Sequence, residues 1–292
     1  MSSYLREQSM SSSLNISVID ETSVECPKET IVTGERKQRK KREPFVPLPM
    51  FYNTDKYEYE IGIDEAGRGP LFGRLYVAAV VLPKDGSMNT TEIRDSKKIS
   101  KRKLPSLYHY ILDHALAYHI TFIEASEIDE INIREAVVKA MHTCASHMID
   151  MLEKKTSSKN DSSVSVTLLH EEDPKKEDPK KEKYFLMIDG NDFPPYHHAF
   201  PDSIQRISYQ TVLQGDNAYA NIAAASILAK VARDEYIAGM CKKHTELVTI
   251  YSMNEHMGYG TKKHLEAIRR YGITQFHRRT YGCCKTALLN YI

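Results

Sequence analysis

Residues 61 to 70 read Ile61-Gly-Ile-Asp-Glu-Ala-Gly-Arg-Gly-Pro70, and the fold turns on them. A short apolar run ends in two acids, Asp64 and Glu65. A Gly67-Arg68-Gly69 bend follows at once, and a second β-like run, Tyr76 to Leu82, comes after it. A buried strand has little structural reason to end in two carboxylates, because unpaired buried charge is costly. An acidic pair beside a glycine-flanked cation suits a metal site that faces a phosphate. Successive side chains on a flat strand point to opposite faces, so both acids reach one site only where the chain bends, and Gly67 permits a bend.

Outward from this segment, strand and helix signals alternate. Tyr57 to Asp64 and Arg74 to Leu82 read as strands joined by the glycine bend, and Tyr118 to Ile123 and Tyr184 to Ile188 read as two more. Ser100 to Ala117, Ile131 to Leu152 and Lys262 to Tyr271 read as helices, the last with Thr261 as its N-cap. Asn217 to Cys241 predicts a long helix whose first half, Ile222 to Ala229, is apolar almost all round and therefore buried. The expected class is α/β: a mixed β-sheet flanked by helices, with a helical region at the C-terminal end.

The chain has 292 residues, 41% of them hydrophobic and 27% charged, as in a globular protein with a full core. A formal net charge of +1 excludes a global basic field, so nucleic-acid binding must come from local clusters. No run approaches the ~20 apolar residues of a membrane span, and the N-terminus lacks the apolar core of a secretory signal. The five cysteines are odd in number and show no CxxC spacing, which predicts free thiols in a reducing compartment. Residues 1 to 55 are rich in Ser, Thr, Glu and Lys and predict a disordered tail. The tail carries a basic run, Arg36 to Arg42, that reads as an import signal, a nucleic-acid tether or a plain solvated segment. A charged stretch from about 154 to 183 contains Glu172-Asp-Pro-Lys-Lys176 repeated as Glu177-Asp-Pro-Lys-Lys181 and predicts a flexible surface insert. The remainder, 56 to 292, reads as one catalytic domain.

Four carboxylates stand at element ends. Asp64 and Glu65 end the first strand, Asp189 ends another before Gly190, and Asp216, after Gly215, opens the buried helix. In open α/β sheets, sites form outside the carboxyl ends of the strands. Acids gathered there repel one another unless a cation neutralises them, and hard oxygen ligands select Mg²⁺ or Mn²⁺. Such a site suits two-metal phosphodiester hydrolysis. Taken singly, Asp216 reads more readily as a helix N-cap than as a ligand, and Asp189-Gly190 as a turn. Lys97, Lys98 and Lys230, with Arg278-Arg279, offer a phosphate track that positions a nucleic acid without reading its sequence.

The chain resembles type 2 ribonuclease H, specifically ribonuclease HII, from about Tyr57 to its end, interrupted by the charged insert. The resemblance rests on Gly62-Ile-Asp-Glu-Ala-Gly-Arg-Gly-Pro70, Asp95-Ser-Lys-Lys-Ile-Ser100, Glu127-Ile-Asp-Glu-Ile-Asn-Ile133, Ile188-Asp-Gly190 and Gly215-Asp216. It continues through Ala223-Ala-Ala-Ser-Ile-Leu-Ala-Lys230, Arg233-Asp234, His256-Met-Gly-Tyr-Gly-Thr261 and His277-Arg-Arg279. It implies an RNase H-like fold and a catalytic, metal-binding set at Asp64, Glu65, Asp189 and Asp216, served by Mg²⁺ or Mn²⁺. It also implies cleavage of RNA in RNA/DNA hybrids and nicking of duplex DNA 5′ of a lone ribonucleotide, leaving 3′-hydroxyl and 5′-phosphate ends. Gly67, Arg68 and Gly69 match the family element that reads the ribose 2′-hydroxyl, the group that separates RNA from DNA. Tyr259 matches the tyrosine that stacks on the next deoxyribose, and Lys97, Lys98 and Lys230 match substrate-binding positions.

The implied partners are RNA/DNA hybrid and ribonucleotide-containing duplex DNA. The expected form is a monomer without membrane attachment, cytoplasmic, or nuclear if the run at 36 to 42 directs import. Phe72 and Arg74-Leu75 are bulkier than the pattern after the Gly-Arg-Gly-Pro turn, which predicts altered packing there without effect on the acids. The polar N-terminal segment does not match the substrate-binding domain of ribonuclease HIII, which with Tyr259 favours HII. Rival readings are a non-catalytic hybrid-binding protein on the same fold and a transposase- or resolvase-like enzyme, which would lack the ribose-reading bend.

Overall fold

The alternation of the first strand sets the layers. β1 (Tyr57–Ala66) puts Ile61 and Ile63 into one core, while Gly62 lies under a helix on the opposite face. In the computed structural model, residues 46–160 and 181–292 are described, without the side chains of 157–160. β1 is followed by β2 (Leu75–Val81), α1 (Leu104–His114), β3 (Ala117–Ile123), α2 (Ala125–Ile131) and α3 (Ile133–Asn160). Then come β4 (Glu182–Asp189), β5 (Tyr196–Phe200), β6 (Ser203–Val212) and α4 (Ala220–Lys243). The chain closes with α5 (Glu246–Thr249), α6 (Met253–His256) and α7 (Lys262–Tyr271).

The strands form one mixed sheet in the order β3-β2-β1-β4-β6-β5. β1 runs antiparallel to β2 and parallel to β4, which runs parallel to β6. One face packs on α3 through Ile61, Ile63, Val77 and Leu186 against Met141, Ala145 and Met148. The other packs Ala78 and Val80 on the alanine-rich start of α4. α4 approaches so closely that a Cβ on Gly62 would lie 2.4 Å from the Asn221 carbonyl carbon. A third core, from Phe72, Ile237, Leu247, Tyr251 and Ile268, builds the expected C-terminal helical region. This is the α/β architecture that the residue pattern predicts.

Several boundaries differ, each for a local reason. The helix expected over Ser100 to Ala117 begins at Leu104, with Pro105 in its first turn, where a missing N–H costs nothing. The helix expected over Ile131 to Leu152 is two helices. Asn132, at φ 68°, ends α2 and its side chain accepts from the N–H groups of Arg134 and Glu135, capping α3. α3 then runs to Asn160 and β4 starts at Glu182, so both ends of the insert expected over 154–183 are regular structure, and the rest of that expectation lies outside the described residues. Thr261 caps α7 as expected, accepting from His264 N–H. The tail expected over 1–55 lies outside the described residues except for its end. There Leu48, Met50 and Phe51 pack on the core, and Tyr52 stacks on Phe185 at 5.3 Å. The folded body therefore begins ahead of residue 55.

Candidate active site

Parallel pairing of β1 and β4 brings the acids together. Ile63 sits opposite Ile188, so the next residues, Asp64 and Asp189, leave the sheet side by side at its carboxyl edge. Glu65 follows on β1, and its N–H donates to Asp64 Oδ1 at 2.7 Å. Asp189 Oδ1 accepts from Gly215 N–H at 2.6 Å. That bond fixes a single 3₁₀ turn, Gly215–Asn217, carrying Asp216. Asp216 thus precedes α4 rather than opening it; Tyr219 is the N-cap residue. The N-cap alternative for Asp216 is excluded. Gly62 and Gly215 allow this crowding, since a Cβ on Gly215 would lie 2.7 Å from Ile222 Cδ1.

Burial and like charge push these carboxyls upward. Asp64, 4% exposed, is held well above the usual carboxylate range by burial, then by the charges of Glu65 and Asp189. Burial also raises Glu65, with Arg68 opposing and Asp189 adding to the rise. Burial, Asp95 and Asp189 raise Asp216, while Lys97 opposes. Side-chain cations stand close by: Arg68 Nη1 lies 3.6 Å from Glu65 Oε1, and Lys97 Nζ lies 3.7 Å from Asp216 Oδ2. Burial works against the Lys97 charge, but Asp216 and Asp95 outweigh it and hold that pKa above its ordinary value.

Asp64, Glu65 and Asp189 line a cavity of about 320 Å³. Gly67, Arg68, Gly69 and Tyr259 line the same cavity, as do Lys97 and Lys230. Asp216 is not part of this lining; it is buried and ion-pairs with Lys97, which is part of it. Lys98 is outside the lining and bonds Asn217 Oδ1. Lys230 is ion-paired with Asp234 one helical turn on. Gly67 has φ +97°, and a Cβ there would lie 2.4 Å from Arg233 Nε; at Gly69 an added Cβ would meet nothing within 4 Å. The bend is therefore packed tightly behind Gly67 and open at Gly69.

The expected phosphate track needs one correction. Arg278 is fully buried and donates to the carbonyls of Gly67, Arg68 and Gly73, so no phosphate reaches it. Arg279 is exposed, and its N–H donates to Asp129 Oδ2 at 2.7 Å. Reading the sequence also missed Ser96 and Ser226, whose hydroxyls lie 3.2 Å apart in the cavity wall, and the buried role of Arg233. Both serines and Arg233 lie inside the quoted motifs; nothing local distinguishes them from ordinary helix or turn residues. Phe72 is buried edge-to-face on His277 at 5.1 Å, and Arg74 pairs with Glu124 while stacking on Phe122. Phe72 thus joins the C-terminal core, whereas Arg74 bridges β3, the start of α2 and Tyr236 of α4.

The donor set fits a hard divalent cation: clustered carboxylate oxygens, with no soft ligand at the wall, in a site that resists ionisation without added positive charge. Among the described residues no three acids, histidines or cysteines are already drawn into ligating geometry. Acids at the carboxyl ends of adjacent parallel strands, in a mixed sheet of this order, place the chain in the RNase H-like class. The family model for ribonuclease HII matches residues 61–284, and the chain belongs to the ribonuclease HII family. It is 35% identical over 221 residues to the ribonuclease HII of Francisella tularensis subsp. novicida, covering 76% of this chain and 95% of that one. With the ribonuclease HII of Oceanobacillus iheyensis it shares 34% identity over 257 residues, covering 85% and 78%. The fold matches the ribonuclease H2 of Pyrococcus horikoshii with a TM-score of 0.53 at 19% identity, covering 78% and 95% of the chains. It matches the ribonuclease HII of Archaeoglobus fulgidus, solved in complex with PCNA, at 0.52 and 19%, covering 77% and 95%. The chain is thus a ribonuclease H, a metal-dependent endonuclease acting on RNA/DNA substrates. No helix among the described residues is long and apolar enough to cross a membrane.

Proposed function

We propose that this chain, besides cutting RNA in hybrids, nicks duplex DNA on the 5′ side of a single embedded ribonucleotide, leaving 3′-hydroxyl and 5′-phosphate ends. One observation carries the reading: a single cavity is lined by three of the four acids, Asp64, Glu65 and Asp189, by the Gly67–Gly69 bend and by Tyr259. Chemistry and sugar discrimination thereby share one wall. Asp64, Glu65, Asp189 and Asp216 are the residues that would hold two Mg²⁺ or Mn²⁺ ions. When bound, such ions supply a water of lowered pKa and positive charge opposite the leaving oxygen. The open side of Gly69 admits a sugar against the main chain, whose N–H and C=O groups test for the 2′-hydroxyl. Tyr259, 46% exposed, offers its ring face to the following deoxyribose. Lys97 and Lys230 meet backbone phosphates at the cavity, and Lys98 does so just outside it.

This activity would start ribonucleotide excision repair and remove RNA primers, by a monomer working in the cytoplasm, or in a nucleus if the basic run directs import. The test is a DNA duplex carrying one ribonucleotide, incubated with Mg²⁺ or Mn²⁺ and the wild-type protein or Asp64→Asn. The expected result is one nick 5′ of the ribonucleotide by wild type alone. An uncut duplex, or equal cutting by both proteins, would overturn the proposal.

A further inference from the structure

Two guanidinium groups lie beneath the Gly67–Gly69 bend, and the function proposed above gives neither a role. Arg233 is 1% exposed and Arg278 0%. Arg278 donates from Nη2 to Gly67 O at 2.7 Å, from Nη1 to Arg68 O at 3.0 Å and from Nε to Gly73 O at 3.0 Å. Arg233 donates from Nε to Arg74 O at 3.3 Å and from Nη2 to Phe72 O at 3.3 Å and Met257 O at 2.9 Å. Six carbonyls are held by two cations, and five of them belong to residues 67 to 74. Burying two guanidinium groups against carbonyls rather than carboxylates is expensive for a fold. A neutral side chain would close the same space at lower cost, so the gain is to be sought in what the carbonyls do once held.

Peptide geometry supplies that gain. In a trans peptide the carbonyl of one residue and the N–H of the next point in opposite directions. With the carbonyls of Gly67 and Arg68 turned inward to Arg278, the N–H groups of Arg68 and Gly69 turn outward. Neither N–H has an acceptor among the described residues. Two successive N–H groups facing one way form a nest for an oxygen atom. The open space at Gly69 leaves that nest accessible. Arg233 ties the same bend to the next loop, since its guanidinium lies 5.8 Å from the centre of the Tyr259 ring. The main chain repeats the tie, with Leu71 N–H donating to Gly258 O at 2.9 Å.

We propose that Arg278 and Arg233 are positioning residues for ribonucleotide selection. Arg278 aims the N–H groups of Arg68 and Gly69 at the 2′-hydroxyl oxygen, and Arg233 sets the spacing between that nest and Tyr259. The assignment rests on the single-ribonucleotide reading above. Tyr281 contributes a lesser share, since its hydroxyl donates to Arg68 O at 3.1 Å.

The test measures fluorescence anisotropy of two labelled duplexes, one all-DNA and one carrying a single ribonucleotide, in EDTA so that nothing is cut. The proteins are full-length wild type, Arg278→Met, Arg278→Lys, Arg233→Lys and Tyr281→Phe, each also melted. Wild type is expected to prefer the ribonucleotide duplex. Removing a charged donor from the bend should cut that preference about tenfold in Arg278→Met. In Arg278→Lys, Arg233→Lys and Tyr281→Phe it should fall about threefold, with all-DNA affinity unchanged. A purely structural role would instead weaken both duplexes together, in step with the melting temperature. If Arg278→Met does not fold, the three milder variants decide. Unchanged preference in folded Arg278→Lys and Tyr281→Phe would overturn the role of Arg278, and unchanged preference in Arg233→Lys that of Arg233. Equal binding of both duplexes by wild type would instead overturn the proposed function, and this assignment with it.

Discussion

Gly67→Ala and Gly69→Ala, two residues apart in one bend, should fail in opposite ways. At Gly67 the backbone has φ +97°, and the new methyl would lie 2.4 Å from Arg233 Nε and 2.6 Å from its Cδ. The backbone conformation alone costs about 1–2 kcal/mol for an L side chain. The buried guanidinium must also shift, and losing even one of its three carbonyl bonds costs about 1.5–3 kcal/mol. Gly67→Ala should therefore lose about 3 kcal/mol or more, a fall in melting temperature of about 6–12 °C for a body of this size. At Gly69 a methyl meets nothing within 4 Å, and the residue is not in the positive-φ region. Gly69→Ala should melt within about 2 °C of wild type, or slightly above it, because alanine restricts the unfolded chain. Its methyl would nevertheless stand where the sugar must approach, so incision of a single-ribonucleotide duplex should fall at least tenfold, about 1.4 kcal/mol. Differential scanning fluorimetry and a gel incision assay, run on both variants, give the answer. Gly67→Ala melting with wild type, or Gly69→Ala losing stability before activity, would refute the account of the bend.

Other expectations concern the acids and Tyr259. Asp64→Asn removes a buried carboxyl whose pKa is raised by burial, Glu65 and Asp189; metal-free melting at neutral pH should rise, while incision and the metal-induced melting shift disappear. For Asp64, Glu65 and Asp216 the folded-state pKa is raised, so the stability they contribute is complete below the ordinary carboxylate range and is lost as pH rises through the raised values. Because Mg²⁺ binds the ionised forms, the melting increment it produces should grow as pH rises above the ordinary carboxylate range and through the raised values, and a flat increment would count against these acids as ligands. Tyr259→Ala should leave stability within about 1 kcal/mol, since its ring is 46% exposed and its contact is a distant guanidinium. It should impair single-ribonucleotide incision far more than the metal-induced melting shift; parallel loss of both would remove its role at the sugar.

The sequence by itself determined what local pattern and spacing can encode. The apolar run into Asp64-Glu65 gave β1 and its acidic end, the alanine-rich run gave the helix that lies against it, and Thr261 marked the start of α7. β5 and β6 were not legible, because β6 is largely exposed and carries little apolar alternation. Its existence depends on backbone pairing with β4 and β5 rather than on its own side chains. The meeting of Asp64 with Asp189 was likewise a matter of register between strands more than 100 residues apart, which no local signal contains. Arg278 makes the point most sharply. In the sequence it is half of an Arg-Arg pair that suits a phosphate; in the fold it reaches carbonyls 210 and 211 residues earlier and becomes the floor of the bend. Charge, periodicity and glycine placement act over a few residues and survive in the sequence. Which side of a loop faces the cavity, and which cation holds it there, depends on long-range packing and was decided only in three dimensions.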